Sequence, residues 1–74
     1  MASPQAEALV YALVVGRLIS TLRERHGWTQ AELARRVGLT QPTLSRIERG
    51  QAMPELYNVR RFAAAFEMRP EHFN

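Results

Sequence analysis

Apolar residues recur with helical spacing along most of the chain, and no segment shows the sustained apolar–polar alternation of a strand. The pattern predicts five helices separated by turn residues. The first begins with Ser3 as its N-cap and Pro4 in its first turn, and it runs to about His26, where Gly27 ends it. These features predict an all-α fold whose first helix is long.

Two short helices follow, joined by a turn of three residues. Thr29 and Glu32 have the spacing of a capping box, in which each side chain accepts from the other's backbone N–H, and Gly38 ends this helix. Thr40 caps the third helix, which ends at Gly50. Two short helices and a glycine-containing turn form a helix-turn-helix arrangement, although helical bundles also contain short loops.

A fourth helix is predicted from near Pro54, and a last short helix from Pro70. One face of the fourth helix carries five apolar residues: Leu56, Val59, Phe62, Ala63 and Phe66. The predicted fold is therefore a small domain of five helices.

Charge is distributed unevenly along these helices. The 74 residues carry a net charge of +3, the pI is about 10.6, and all ten basic residues are arginine. Residues 17–61 hold nine Arg and four Glu, a local charge of +5, whereas the flanking segments hold one Arg and three Glu, a charge of −2. A basic module of this size favours a polyanionic partner, but charge alone does not identify it.

Several kinds of chemistry are not expected. The chain has no cysteine, which excludes disulfides, cysteine zinc fingers and thiol catalysis. Its two histidines, His26 and His72, have no second ligand at helical spacing, so no metal site is predicted. No nucleophile has an identifiable base, so we expect a protein that is not an enzyme and needs no cofactor.

No membrane association is expected either. The longest uncharged stretch, residues 8–16, has nine residues, whereas a spanning helix needs about 20. Residues 1–7 contain no basic residue, which is unlike a signal peptide. We predict a cytoplasmic, nucleoid-associated protein.

Specific residues in one register resemble the phage repressor and Cro type of helix-turn-helix domain, also called the xenobiotic-response-element type. They are Leu22-Arg23, residues 27–34 (Gly-Trp-Thr-Gln-Ala-Glu-Leu-Ala), residues 37–41 (Val-Gly-Leu-Thr-Gln), residues 44–50 (Leu-Ser-Arg-Ile-Glu-Arg-Gly) and residues 54–56 (Pro-Glu-Leu). The resemblance covers residues 16–73. It implies a repressor-like domain at residues 16–74 that binds double-stranded DNA in a sequence-specific way.

The resemblance also implies which side chains contact bases. The matching positions are Thr40, Gln41, Pro42, Thr43 and Arg46. Glutamine can bond N6 and N7 of adenine, and arginine can bond O6 and N7 of guanine in the major groove. Pro42 replaces the polar residue often found at its position in this family, and it has no backbone N–H to donate.

Phosphate contacts are expected on both sides of the third helix. The candidates are Gln30, Ser45, Arg49, Gln51 and Arg60. Gln30 opens the second helix, whose unpaired N–H groups suit a phosphate.

Other positions are expected to be structural. Arg23 and Glu48 resemble the family's ion pair between the first and third helices, so Arg23 is not assigned to DNA. Trp28 is expected to anchor the core. The second and third helices are expected to bury Leu33, Ala34, Val37, Leu44 and Ile47 against Leu18, Ile19, Leu22, Leu56, Phe62 and Phe66.

Residues 1–15 extend the first helix backward, because the family's first helix usually begins near the position of Val15. On a helical wheel, Tyr11, Val15, Leu18 and Leu22 continue the core face. The opposite side carries Ala6, Leu9, Val10 and Leu13, with Gly16 beside them. A helix that is apolar on two sides needs a second partner, so we predict a homodimer paired through this extension, with residues such as Phe73 assisting.

Three functions fit these features. The first is a homodimeric repressor or autoregulator that binds a palindromic operator. The second is an antitoxin that occludes a toxin protein and autoregulates its operon. The third is a helical interaction module that has lost DNA binding.

Overall fold

Four helices account for most of residues 3–68, the part of the chain that the computed structural model describes. They are α1 (Pro4–Arg25), α2 (Gln30–Val37), α3 (Gln41–Glu48) and α4 (Leu56–Ala65). No strand occurs in this range, which confirms the all-α class. The helix predicted from Pro70 lies outside the described residues, so the count of five helices is not confirmed.

The predicted N-caps of the first two helices are present. Ser3 Oγ accepts the N–H of Ala6 at 3.1 Å, and Thr29 Oγ1 accepts the N–H of Glu32 at 3.1 Å. The second half of the capping box differs from the prediction. The Glu32 carboxylate accepts from the Thr29 hydroxyl at 3.3 Å rather than from its backbone N–H, so the two side chains bond to each other.

The turn between α2 and α3 depends on Gly38. This residue has φ +70°, a left-handed conformation that side chains with a Cβ rarely adopt. The next residue, Leu39, donates its N–H to Ala34 O at 2.9 Å and closes the end of α2. The turn thus fixes the angle at which α3 leaves α2.

The core lies where the four helices meet. Leu33, Val37 and Leu44 are fully buried. The cluster around them consists of Ile19, Ala34, Ile47, Phe62 and Phe66, with Leu22 and Trp28 partly buried against it. These residues confirm most of the predicted core.

Three residues predicted to face the core are exposed instead. Tyr11 retains 62% of its accessible surface, Leu18 retains 54% and Leu56 retains 69%. Leu56 is the first residue of α4, and that helix packs against α2 through residues further along it. Leu18 is exposed because the buried stripe of α1 runs along Ala12, Gly16 and Ile19, roughly a quarter of a turn away from the expected face.

Gly16 explains that stripe. A Cβ at this position would collide with the backbone oxygen of Ile47 and would lie 2.7 Å from that of Glu48. The helix therefore approaches the end of α3 backbone to backbone, which only glycine permits. The prediction that Gly16 lies beside the exposed face was wrong, since it is the point of closest contact with α3.

Replacing Gly16 by alanine is expected to lower the free energy of unfolding by about 2 kcal/mol, because the collision outweighs alanine's better helix propensity. Urea denaturation followed by circular dichroism measures the change. Gln5→Ala, at an exposed position of the same helix, serves as the control and is expected to leave stability nearly unchanged. A Gly16→Ala variant as stable as the wild type would contradict the close approach.

Membrane compatibility of α1 needs a correction. The helix is long and apolar enough to span a bilayer by length and composition, and most of it is exposed. The expectation of no membrane association rested only on the length of the uncharged stretch at residues 8–16. However, the same helix buries Gly16 and Ile19 in the domain and holds Arg23 against Glu48. A spanning α1 would lose these contacts, so we interpret it as a scaffold helix.

Candidate nucleic-acid interface

The outer face of α3 carries the residues expected to contact bases. Leu44 and Ile47 bury the inner face of this helix against the core. Five residues are exposed at its start and along its outer side: Thr40, Gln41, Pro42, Thr43 and Arg46. The structure thus places these side chains on one solvent-facing surface, which we call the reading face.

Hydroxyl groups order the start of the reading face. Thr40 Oγ1 accepts the N–H of Thr43 at 3.3 Å, and the Thr40 hydroxyl donates to Thr43 Oγ1 at 2.9 Å. The Thr43 hydroxyl already accepts this bond, so its own proton can point outward to an acceptor. Pro42 lies in the first helical turn, where no intrahelical bond requires an N–H.

Glu48 anchors the end of α3 to α1. Arg23 grips its carboxylate with two parallel bonds, Nε to Oε2 at 2.8 Å and Nη2 to Oε1 at 3.0 Å. The Glu48 side chain is 5% exposed and that of Arg23 is 14% exposed. A bidentate pair at this depth fixes both position and orientation. The ion pair implied by the resemblance is therefore present between these residues.

The electrostatics agree with a structural role for Arg23. Hydrogen bonding to Glu48 raises the pKa of Arg23, while partial burial acts in the opposite direction. Its remaining Nη1 donates to Trp28 O at 2.8 Å. A raised folded-state pKa of a basic group stabilises the fold at every pH below its unfolded-state value, and this contribution is lost only as the pH rises through the folded-state pKa.

Gln30 has a contact that the sequence analysis did not identify. Its Nε2 donates to Glu48 Oε1 at 3.1 Å, which joins the start of α2 to the end of α3. The phosphate contact expected for Gln30 was based only on the position of this residue at a helix N-terminus. The ion pair predicted at Glu48 was the available signal, because a carboxylate that is removed from water needs several donors.

The remaining phosphate candidates lie on α3, just after α3, and on α4. Arg49 and Gln51 lie together just after α3, with Arg49 Nη2 bonded to Gln51 Oε1 at 3.3 Å, and both are exposed. Ser45 is half-buried on α3. Arg60 is exposed on α4, which packs mainly against α2 rather than α3.

An aromatic stack supports the scaffold behind these helices. The Trp28 ring lies 4.3 Å from that of His26, and the guanidinium of Arg36 lies 4.1 Å from the Trp28 centroid. Phe66 continues the stack towards the core at 6.1 Å. Core anchoring by Trp28 was predicted, but the contact of Arg36 with the Trp28 ring was not.

Comparisons with known proteins match the part of the chain that holds these helices. A helix-turn-helix family model matches residues 19–73. The chain is 36% identical over 53 residues to the HTH-type transcriptional regulator YgzD of Bacillus subtilis, covering 72% of this chain and 80% of that protein. It is 33% identical over 57 residues to an HTH-type transcriptional regulatory protein of Pyrococcus abyssi, covering 77% of this chain but only 18% of that protein.

Proposed function

Because the chain belongs to the phage repressor and Cro type of helix-turn-helix transcriptional regulators, a family of DNA-binding proteins rather than enzymes, we propose that it represses transcription by occupying a palindromic operator as a homodimer. The observation that carries this proposal is the exposed reading face on a helix whose far end is fixed by a buried ion pair.

Base recognition follows from the chemistry of the reading face. Gln41 offers a donor and an acceptor, which suits adenine, and Arg46 offers two donors, which suits guanine. The Thr43 hydroxyl is free to donate to a purine N7 or O6, because it accepts rather than donates in its bond with Thr40, and its methyl group suits a thymine methyl. These three side chains give the helix the means to distinguish base pairs in the major groove.

Phosphate contacts would fix the register on DNA. Arg49 and Gln51 form one exposed pair beyond the end of α3, and Arg60 adds a charge on α4. The backbone N–H groups in the first turn of α2, which begins at Gln30, would suit a phosphate even though the Gln30 side chain bonds to Glu48. We place the protein's site of action on the chromosome, in the cytoplasm.

Pairing of two copies accounts for the exposed apolar surface of the extension. Leu9 and Val10 retain more than half of their accessible surface, and Leu13 retains 48% while contacting Gly50. Ala6 is also exposed. Twofold symmetry in the protein would require twofold symmetry in its operator.

Selection from random duplexes tests the proposal. The wild-type protein is expected to enrich an inverted repeat with half-sites about one helical turn apart. Affinity for that site should fall with added salt, with a log–log slope of about −0.9 per phosphate contact. Recovery of no shared sequence would contradict specific recognition, and a lone half-site bound by one copy would contradict the homodimer.

A second candidate is an antitoxin that binds a toxin protein. The observation that favours it is an apolar groove of about 390 Å³ between α1 and α4, bordered by Tyr11, Leu22, Met53, Phe62 and Met68. Co-purification with the product of an adjacent reading frame, lost on Met53→Ala while DNA binding persists, would support this function over simple repression.

A further inference from the structure

The outer face of α1 carries a stripe with acid at one end and base at the other. Glu7, Val10, Val14 and Arg17 are spaced by three, four and three residues, which aligns them along one side of a helix. All four are exposed, and Val10 and Val14 retain 59% and 62% of their accessible surface. We call these four residues the seam.

The seam lies opposite the buried stripe of α1. At 100° per residue, the seam is centred roughly 180° from Ala12, Gly16 and Ile19, the residues that α1 buries in the domain. Pairing through the seam thus leaves the contact between α1 and α3 intact. It also leaves the reading face uncovered, because the two α3 helices would lie on the outer sides of the α1 pair.

The order of charges determines the direction of the pairing. We propose that the seam binds the seam of a second copy in antiparallel orientation, with Val10 opposite Val14 and Glu7 opposite Arg17. A parallel arrangement would place Glu7 against Glu7 and Arg17 against Arg17, which is unfavourable. The antiparallel arrangement makes both pairs attractive, and a twofold rotation axis relates its two copies.

Surface shape fits the same register. A shallow depression of about 350 Å³ on α1 is lined by Leu13, Val14, Arg17, Leu18 and Thr21. In the proposed register it faces residues 6, 7, 10 and 11 of the second copy, which come from the opposite half of that helix. A parallel pair would instead place one depression against the other and leave both unfilled.

The seam refines the homodimer proposed above, on which this inference depends. Tyr11 and Leu13 flank its centre, and both are substantially exposed, so each would meet its own counterpart near the twofold axis. Leu9 lies nearer the buried side of α1 and contributes least.

Charge reversal tests the pairing in the full chain. At low ionic strength, Glu7→Arg and Arg17→Glu are each expected to weaken dimerisation on the order of ten-fold, because each change converts two attractive pairs into two repulsive ones. The double variant Glu7→Arg/Arg17→Glu should restore the wild-type dissociation constant. Sedimentation measures all three, and circular dichroism checks that each variant is folded.

Arg25→Glu is the matched control, because it reverses an exposed arginine on α1 outside the seam and should leave dimerisation unchanged. A wild-type dimer weakened by Arg25→Glu but not by Arg17→Glu would overturn this register. A wild-type dimer insensitive to all these changes would overturn the seam while leaving the homodimer and DNA binding in place. A wild-type monomer at micromolar concentration would overturn both.

Cysteine cross-linking distinguishes the two directions, and the chain has no cysteine of its own to interfere. A mixture of Val10→Cys and Val14→Cys proteins should form a mixed disulfide under mild oxidation. Val10→Cys alone should not, because its two sulfurs would be offset by four residues, about 6 Å along the helix. Efficient cross-linking of Val10→Cys to itself would indicate a parallel pair and contradict the proposal.

Discussion

Replacing Gln41 and Arg46 together by alanine is expected to weaken binding to the selected operator by about 100- to 1,000-fold. Each side chain can make a bidentate contact with a base, and a good contact of that kind contributes about 1–3 kcal/mol of discrimination. Both residues are exposed, so the unfolding midpoint should hardly change. Titration of a labelled operator at fixed salt, with unrelated duplex as competitor, measures the loss.

The matched control removes one glutamine and one arginine elsewhere. Gln5→Ala/Arg25→Ala makes the same change of composition and charge on exposed positions of α1. It should reduce affinity only slightly, through the general electrostatic attraction. Equal losses in the two double variants would mean that charge alone governs binding, and an unaffected Gln41→Ala/Arg46→Ala protein would favour the interaction module that has lost DNA recognition.

Glu48→Ala is expected to lower the free energy of unfolding by about 3–5 kcal/mol, because it leaves the Arg23 guanidinium mostly buried without its carboxylate. The change also removes the acceptor of the Gln30 amide. A loss of that size is a large fraction of the total stability of a small domain. Urea denaturation measures it, and DNA affinity should fall in parallel because α3 loses its anchor.

Two further variants separate this effect from the loss of any acidic residue. Glu24→Ala removes a carboxylate 3.9 Å from Arg23 that is 70% exposed, and it should cost less than about 0.5 kcal/mol. The double variant Arg23→Met/Glu48→Leu should recover most of the stability, since no charge is then left buried. If Glu48→Ala and Glu24→Ala behave alike, the pair is not the anchor described above.

Local signals in the sequence predicted the helices well. Ser3, Thr29 and Thr40 each cap the helix they were expected to cap, and Gly38 has the left-handed backbone that ends α2. Caps and turns depend on residues within a few positions of one another, so they can be read from a single sequence. Arg23 and Glu48 are 25 residues apart in the sequence, and their ion pair was predicted only because the residues around them resemble a known family.

The buried face of α1 could not be predicted from local signals of this kind. Large apolar side chains such as Leu18 were expected to mark its buried face, yet the closest contact is made by Gly16, which has no side chain to provide a signal. Where two helices meet through their backbones, small residues identify the contact and large ones lie at its edges. The bond from Gln30 to Glu48 was missed for a related reason, since it depends on how two helix ends are brought together.

One uninterrupted helix, α1, carries both the seam and Gly16. If two copies pair through the seam, the number of residues between Val14 and Gly16 sets the angle about the helix axis between the second copy and α3. One inserted residue would turn the second copy by about 100° relative to α3. Related domains that differ by a single residue there would hold their two DNA-reading helices at different angles, and so would require operators with differently arranged halves.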